Sequence, residues 1–243
     1  MSMTTRVARR LVRVAGRDDV PVLPGAGFWD GDDPQSNRAA RYLVETVNRR
    51  PGEVFLIATG ALTNLRHALL LDPDFFAKLR GLYLMGGITE PLTWHGHRLA
   101  ERNFSADPEA AYEAIHADCP VTIAPGQVGL TAVFRAPQFA ALQKLEGTVP
   151  RFIARRIRFW FALNRLWFRD GGFGMWDSTA ALALTHPGLF EHEMVYVTST
   201  RADLRDGRLF TDPSRHGPVR LILRVRDYSG FIAAHFAAWQ RLG

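Results

Sequence analysis

Two short apolar runs, each ending in a small-residue turn, constrain this chain more than any other feature. Val54-Phe-Leu-Ile-Ala58 runs into Thr59-Gly60, and Leu82-Tyr-Leu-Met85 runs into Gly86-Gly87. Apolar runs of this length without alternation fit strands covered on both faces, the usual condition of a parallel sheet. Residues 62–71 between them read as a helix, so the pair forms a strand–helix–strand unit. In open α/β sheets ligands collect outside the carboxyl ends of the strands, where both turns fall. A polar segment carrying Glu101 and Asn103 follows. In an extended segment that i, i+2 spacing aims both side chains to one side.

The rest of the chain supports the same architecture. Val7, Leu11 and Val14 at i, i+4, i+7 predict an amphipathic N-terminal helix docked on a core. Val20-Pro-Val-Leu23 predicts a short buried strand closed by Pro24-Gly25, and Asn37 to Arg50 a helix with Ala40, Leu43, Val44 and Val47 inward. Asp107-Pro108-Glu109 combines an N-cap, a proline at the first helical position and an acidic first turn. A strand at 120–124 and helices at 137–145 and 149–169 follow. Gly171 to Gly174 reads as a flexible break, after which Asp177 opens a helix to Thr185. Met194–Thr200 and Val219–Val225 alternate as strands, with a turn at Asp206-Gly207 suggesting an antiparallel excursion. The expectation is one α/β domain over residues 1–243: a mainly parallel open sheet flanked by helices, Rossmann-like, with a small C-terminal β addition.

Composition narrows the function classes. With 47% hydrophobic residues the chain can bury a full core. The single cysteine, Cys119, precludes an intramolecular disulfide and fits a reducing, cytoplasmic setting. Net charge is +6, with the arginines concentrated at 6–17, 151–169 and 201–226. No nucleic-acid-binding motif accompanies that charge, so nucleic acid is not the expected partner. No apolar run reaches the ~18 residues of a membrane span.

Gly60-Ala-Leu-Thr-Asn64, Leu84-Met-Gly-Gly87 and Glu101-Arg-Asn-Phe-Ser-Ala-Asp-Pro-Glu-Ala-Ala111, in this order and spacing, resemble the inosine-uridine-preferring nucleoside hydrolase family. Asp19-Val-Pro-Val-Leu-Pro-Gly-Ala26 matches that family's upstream strand, and Asp177 falls where it has a C-terminal His-Asp pair. The resemblance covers essentially the whole chain. It implies hydrolysis of the N-glycosidic bond of a ribonucleoside to ribose and free base. Such a bond breaks through an oxocarbenium-like sugar, which needs negative surroundings and an activated water. In the family a Ca²⁺ ion holds that water and two ribose hydroxyls, a task suited to a hard cation with six to eight oxygen ligands. By position, the resemblance implies that the Thr63 carbonyl and the Asp177 carboxylate bind the metal. Glu101 and Asn103 would bond ribose hydroxyls, and Met85 would line the sugar pocket. It also implies a dimer or tetramer.

The chain departs from the family in specific places. The opening Asp-rich turn (DxDxGxDD), which supplies the general base and most carboxylate ligands, has no counterpart before Asp19. The sequence is therefore expected to start near the family's second helix, with an incomplete metal site and impaired or absent turnover. Without the leading strand and helix, a poorly soluble or oligomeric product is expected. The Asn expected six residues before Glu101 is His95, and the His expected before Asp177 is Trp176. Both are placed on the leaving-group side, where tryptophan can stack on a base but not protonate it. His97 joins His95 in the same loop. Asp30, Asp32 and Asp33 form a local acidic cluster that could hold a cation. Trp160, Phe161, Trp167 and Phe168 read as core at helical spacing, or as a cover for a base. Two rival expectations stand beside hydrolysis: a non-catalytic nucleoside- or protein-binding member of the fold, and a basic scaffold contacting nucleic acid.

Overall fold

The computed structural model describes residues 3–26, 33–168 and 172–242, the side chains of Trp167 and Phe168 excepted. Its centre is a six-stranded sheet built from β1 (Phe55–Ala58), β2 (Gly81–Met85), β5 (Val121–Ala124), β8 (Phe190–Val197), β9 (Thr211–Asp212) and β10 (Val219–Val225). The spatial order is β1-β2-β5-β10-β8-β9. The first four in that order are parallel, and β8 and β9 continue the sheet antiparallel. Two-residue strands make two small ribbons: β3 (Thr93–Trp94) with β4 (His97–Arg98), and β6 (Val133–Phe134) with β7 (Phe173–Gly174).

Helices cover both faces. One face carries α2 (Arg38–Arg49), α3 (Thr63–Leu71), α4 (Pro108–Ile115) and the single turn α9 (Arg201–Leu204). Their buried Val47, Leu65, Ala111 and Leu204 share a core with Leu82, Leu84 and Ile123 of the strands. The other carries α5 (Gly126–Thr131), α6 (Ala136–Lys144), α7 (Thr148–Phe168), α8 (Trp176–Thr185) and α10 (Tyr228–Arg241). There Val128, Leu142, Ala180 and Phe231 pack with Met85, Ala124 and Ile222. Local chemistry fixes several helix starts. Asn37 accepts from Ala40 N–H, Asp107 from Ala110 N–H and Asp227 from Gly230 N–H, each satisfying a donor the helix itself cannot pair.

The structure corrects four sequence readings. Val20–Leu23 forms no strand and pairs with none of the described ones; Asn64 holds its continuation instead, accepting from Ala26 N–H at 2.9 Å. β1 is an edge strand, not one covered on both faces, and Phe55 and Ile57 stay 40% and 38% exposed. The N-terminal helix α1 (Met3–Val14) does rest on α7, with Arg10 stacked over Phe152, yet Val7 and Leu11 face outward while Thr5 is buried. Phe173-Gly174 is a paired strand rather than a loose break. The turn expected at Asp206-Gly207 is present between β8 and β9, and β8 pairs antiparallel with both β9 and β10; Gly207, at φ +69°, also accepts from Ile88 N–H.

Candidate functional site

The carboxyl ends of β2 and β5 open into a cavity of about 610 Å³. Its wall includes Met85, Glu101, Asn103, Trp176 and Asp177, so five of the seven sequence-predicted site residues converge there. Trp94, Arg98, Arg102, Trp160, Asn164 and Phe173 join them.

Glycines bring the backbone close enough to build this wall. A Cβ on Gly86 would lie 2.4 Å from the Phe104 ring, and Gly87 takes φ +77°, so the turn after β2 can accept no side chain at either position without strain. Glu101 then locks the turn to the loop beyond it. Its Oε1 accepts from the N–H groups of Gly87, Asn103 and Phe104 at 3.2, 2.8 and 3.0 Å, and Oε2 from Ser105 N–H at 2.7 Å. The segment is thus a tight turn organised around a carboxylate, not the extended strand that the i, i+2 spacing suggested. Most of the Glu101 acceptor capacity is used internally, and Oε2 keeps room for a further donor.

Asn103 is oriented by the same logic. Its amide Nδ2 donates to the Met85 carbonyl at 2.9 Å and approaches the Met85 sulfur at 3.0 Å. Its Oδ1, with no partner among the described residues, is left as an acceptor on the cavity side. Asn164, buried on α7, repeats the arrangement by donating to the Trp160 carbonyl at 3.0 Å.

Trp176 is held rigidly. Its indole Nε1 donates to the Gly126 carbonyl at 2.9 Å, and the ring lies on Gly129 and Gly174, where any Cβ would overlap it. Trp94 meets it edge-on at 6.5 Å between ring centroids. Since the N–H is committed to the backbone, only the face and edge of the ring are offered to a ligand. Asp177 lies in the first turn of α8, one residue inside the helix, and does not cap it. Its side chain reaches solvent through the cavity, but the surrounding protein mass desolvates the carboxyl and raises its pKa. It makes no hydrogen bond or ion pair with any described residue.

The other two predicted residues lie off the wall. Thr63 opens α3, where helix geometry aims its carbonyl along the axis into its own turn. His95 occupies the exposed tip of the β3–β4 hairpin at φ +48°, its ring edge-on to Trp94 at 5.1 Å. His97 is exposed on β4. Trp160 lines the cavity rather than the core, half exposed, whereas Phe161 is buried as core. Asp30 and Asp32 lie outside the described residues. Asp33 is exposed and caps a local turn, accepting from Gln35 N–H at 2.9 Å.

These donors do not complete a Ca²⁺ site. Among the described residues no three His, Cys, Asp or Glu side chains are grouped to hold a metal. Asp177 brings two oxygens to a cation that replaces its water with six or more.

Residues 1–232 match the family model described as inosine-uridine preferring nucleoside hydrolase. A probable uridine nucleosidase 2 of Arabidopsis thaliana is 25% identical over 79% of this chain and 67% of its own length. Uridine nucleosidase 1 of the same plant is 28% identical over 78% and 63%. A pyrimidine-specific ribonucleoside hydrolase RihA of Shewanella woodyi is 27% identical over 88% and 68%. The chain thus spans about two thirds of the length of these curated relatives. Among solved structures, a plant nucleoside hydrolase, PpNRh1, superposes with a TM-score of 0.81 at 20% identity, covering 98% of this chain and 85% of that one. A purine-preferring ribonucleoside hydrolase from Gardnerella vaginalis gives 0.71 at 19%, over 96% and 76%. At these identities the structural likeness bears on the fold.

Proposed function

Because the chain belongs to the inosine-uridine preferring nucleoside hydrolase family, we propose that its cavity takes a ribonucleoside and serves hydrolysis of the N-glycosidic bond to ribose and free base. The observation that carries this reading is the convergence of Met85, Glu101, Asn103 and Asp177 with the aromatic Trp94, Trp160 and Trp176 on one cavity wall. The Oδ1 of Asn103 and the spare lone pairs of Glu101 Oε2 suit ribose hydroxyl donors. The tryptophan faces suit a planar base. In the reaction a water oxygen bonds to C1′, the C1′–N bond breaks with its electron pair going to the base, and the base gains a proton. Asp177, when ionised, supplies negative charge to the developing oxocarbenium and an acceptor for the water proton. Trp176 sits on the leaving-group side as a stacking surface. His95, at the exposed hairpin tip off the cavity wall, enters no step, and the base takes its proton from solvent. Thr63 and Ca²⁺ enter no step, since the described donors do not form the site. Assembly as a dimer or tetramer belongs to the same reading, supported by the open β1 edge. A cytoplasmic setting fits the single cysteine, and salvage of purine and pyrimidine bases belongs to the same reading.

A second reading, nucleoside binding without turnover, is favoured by one observation: Glu101 is committed to four backbone N–H groups, leaving Asp177 as the cavity carboxylate without a partner among the described residues. Base release from inosine and uridine, followed with Ca²⁺ and then with chelator, separates the two. Turnover lost by at least about 100-fold in D177N, the scale of a missing acid–base group, supports hydrolysis. Binding of inosine with no base release supports the second reading, and neither binding nor release refutes both.

A further inference from the structure

The proposed nucleoside reading leaves one feature of the cavity unused. Arg98, on β4, and Arg102, between Glu101 and Asn103, both line it, and both are exposed. Neither guanidinium makes a hydrogen bond or ion pair with any described residue. A neutral nucleoside has no group that calls for two guanidinium ions. The carboxylates of Glu101 and Asp177 on the same wall balance the two formal charges, but neither forms an ion pair with a guanidinium: the Glu101 oxygens are turned into the backbone N–H groups of Gly87, Asn103, Phe104 and Ser105. Two like charges on one wall repel each other, and an anion between them relieves that cost. The planar fork of arginine matches phosphate oxygens two at a time.

We infer that Arg98 and Arg102 form an anion subsite for a phosphate monoester on the ribose, so that the cavity prefers a nucleoside monophosphate to a nucleoside. The inference rests on the nucleoside reading for its base and sugar, and on the two arginines alone for its phosphate. Arg102 is flanked in sequence by the Glu101 and Asn103 proposed to hold the sugar, which brings the positive charge to the ribose end of the ligand. Trp160 and Trp176 remain for the base. The chemistry is unchanged: water adds at C1′, the base departs with the bonding pair and takes up a proton, and the ester bond is untouched. The product is a ribose phosphate.

The test measures binding to the purified chain by calorimetry at low and moderate salt. The probes are inosine, inosine 5′-monophosphate, inosine 3′-monophosphate, ribose 5-phosphate and inorganic phosphate. Charge-assisted contacts from two guanidiniums should make one monophosphate bind about tenfold or more tightly than inosine. That gap should close in R98A/R102A, with R98Q/R102Q giving the same readout where the alanine variant loses its fold. The 5′ and 3′ esters show which ribose position the arginines address. Monophosphates binding no tighter than inosine, or a gap that survives both substitutions, overturns the subsite while leaving the nucleoside reading intact. Arginine-dependent binding of ribose 5-phosphate in a protein that neither binds nor cleaves inosine does the reverse: the subsite stands and the nucleoside reading falls.

Discussion

Replacing Gly129 by alanine tests the account of Trp176 directly. The new Cβ would lie 2.1 Å from Cδ1 and Nε1 of the indole, far inside contact distance. The ring cannot retreat the other way, because its Cη2 and Cζ2 already lie 2.9 Å from where a Cβ on Gly174 would stand. It must swing toward the cavity, giving up the 2.9 Å bond to the Gly126 carbonyl. Overpacking of this kind costs about 1–3 kcal/mol, and the lost hydrogen bond about 1 kcal/mol more. Alanine in place of glycine within α5 returns roughly 1 kcal/mol of helix propensity. The net expectation is a loss of about 1–3 kcal/mol. With a urea dependence near the upper end of the usual range, ~2–3 kcal/mol per molar, the unfolding midpoint falls by roughly 0.3–1.5 M. Tryptophan fluorescence reports both the midpoint and the altered indole environment, and ligand affinity should fall as the ring fills the cavity. Gly188→Ala, where a Cβ meets nothing within 4 Å, is the control and should be neutral or slightly stabilising. If G129A melts with its control and binds ligand unchanged, the indole is not held as described and the aromatic wall must be redrawn.

Other consequences are open to measurement. E101A removes the acceptor of four backbone N–H groups. It should cost about 2–4 kcal/mol in chemical denaturation, as several charge-assisted bonds are lost together; a loss within ~0.5 kcal/mol would contradict the locking role. The Cys119 thiol is pushed up to about 11 by burial, with Asp118 adding to it, so alkylation at pH 8 should be much slower than for an exposed thiol. His235 is buried with Nδ1 on the Phe231 carbonyl and Nε2 without a partner among the described residues, and desolvation lowers its pKa. The unfolded chain then binds its proton first. Stability is full above about pH 6.5 and falls as pH drops from there toward the lower folded value, a slope that should flatten in H235F.

How far the sequence revealed this structure depends on whether a residue's partners were local. The caps Asn37, Asp107 and Asp227 act within three residues of themselves, and those helix starts were legible. So were the strands β2 and β5, buried on both faces. Val20–Leu23 is apolar like them, but a strand pattern does not name its neighbour, and this segment pairs with no described strand. β1 was misread for the same reason, since being at an edge is a property of the sheet. At the site, the collinear motifs brought together Met85, Glu101, Asn103, Trp176 and Asp177. What Glu101 does there could not be read, because its acceptors' partners include Gly87, fourteen residues away. Asn164 and Trp160 were hidden in a helix whose period says only that one face is inward. Gly129 and Gly174, spaced along different elements, were signals for a large ring nearby, but only after the ring's position was known.

The bonding of Glu101 has a consequence for how such a cavity can diverge. One carboxylate fastens the turn after β2 to the loop at 103–105, and Gly207 presses against it so closely that a Cβ there would lie 2.5 Å from its oxygen. Three distant segments therefore tolerate change only together. The β3–β4 hairpin and the aromatic stretch of α7 lie outside that knot and can drift one residue at a time. Selection among ligands can accordingly be rewritten at the rim of the cavity while the Glu101 knot, the proposed contact with the sugar, is inherited intact.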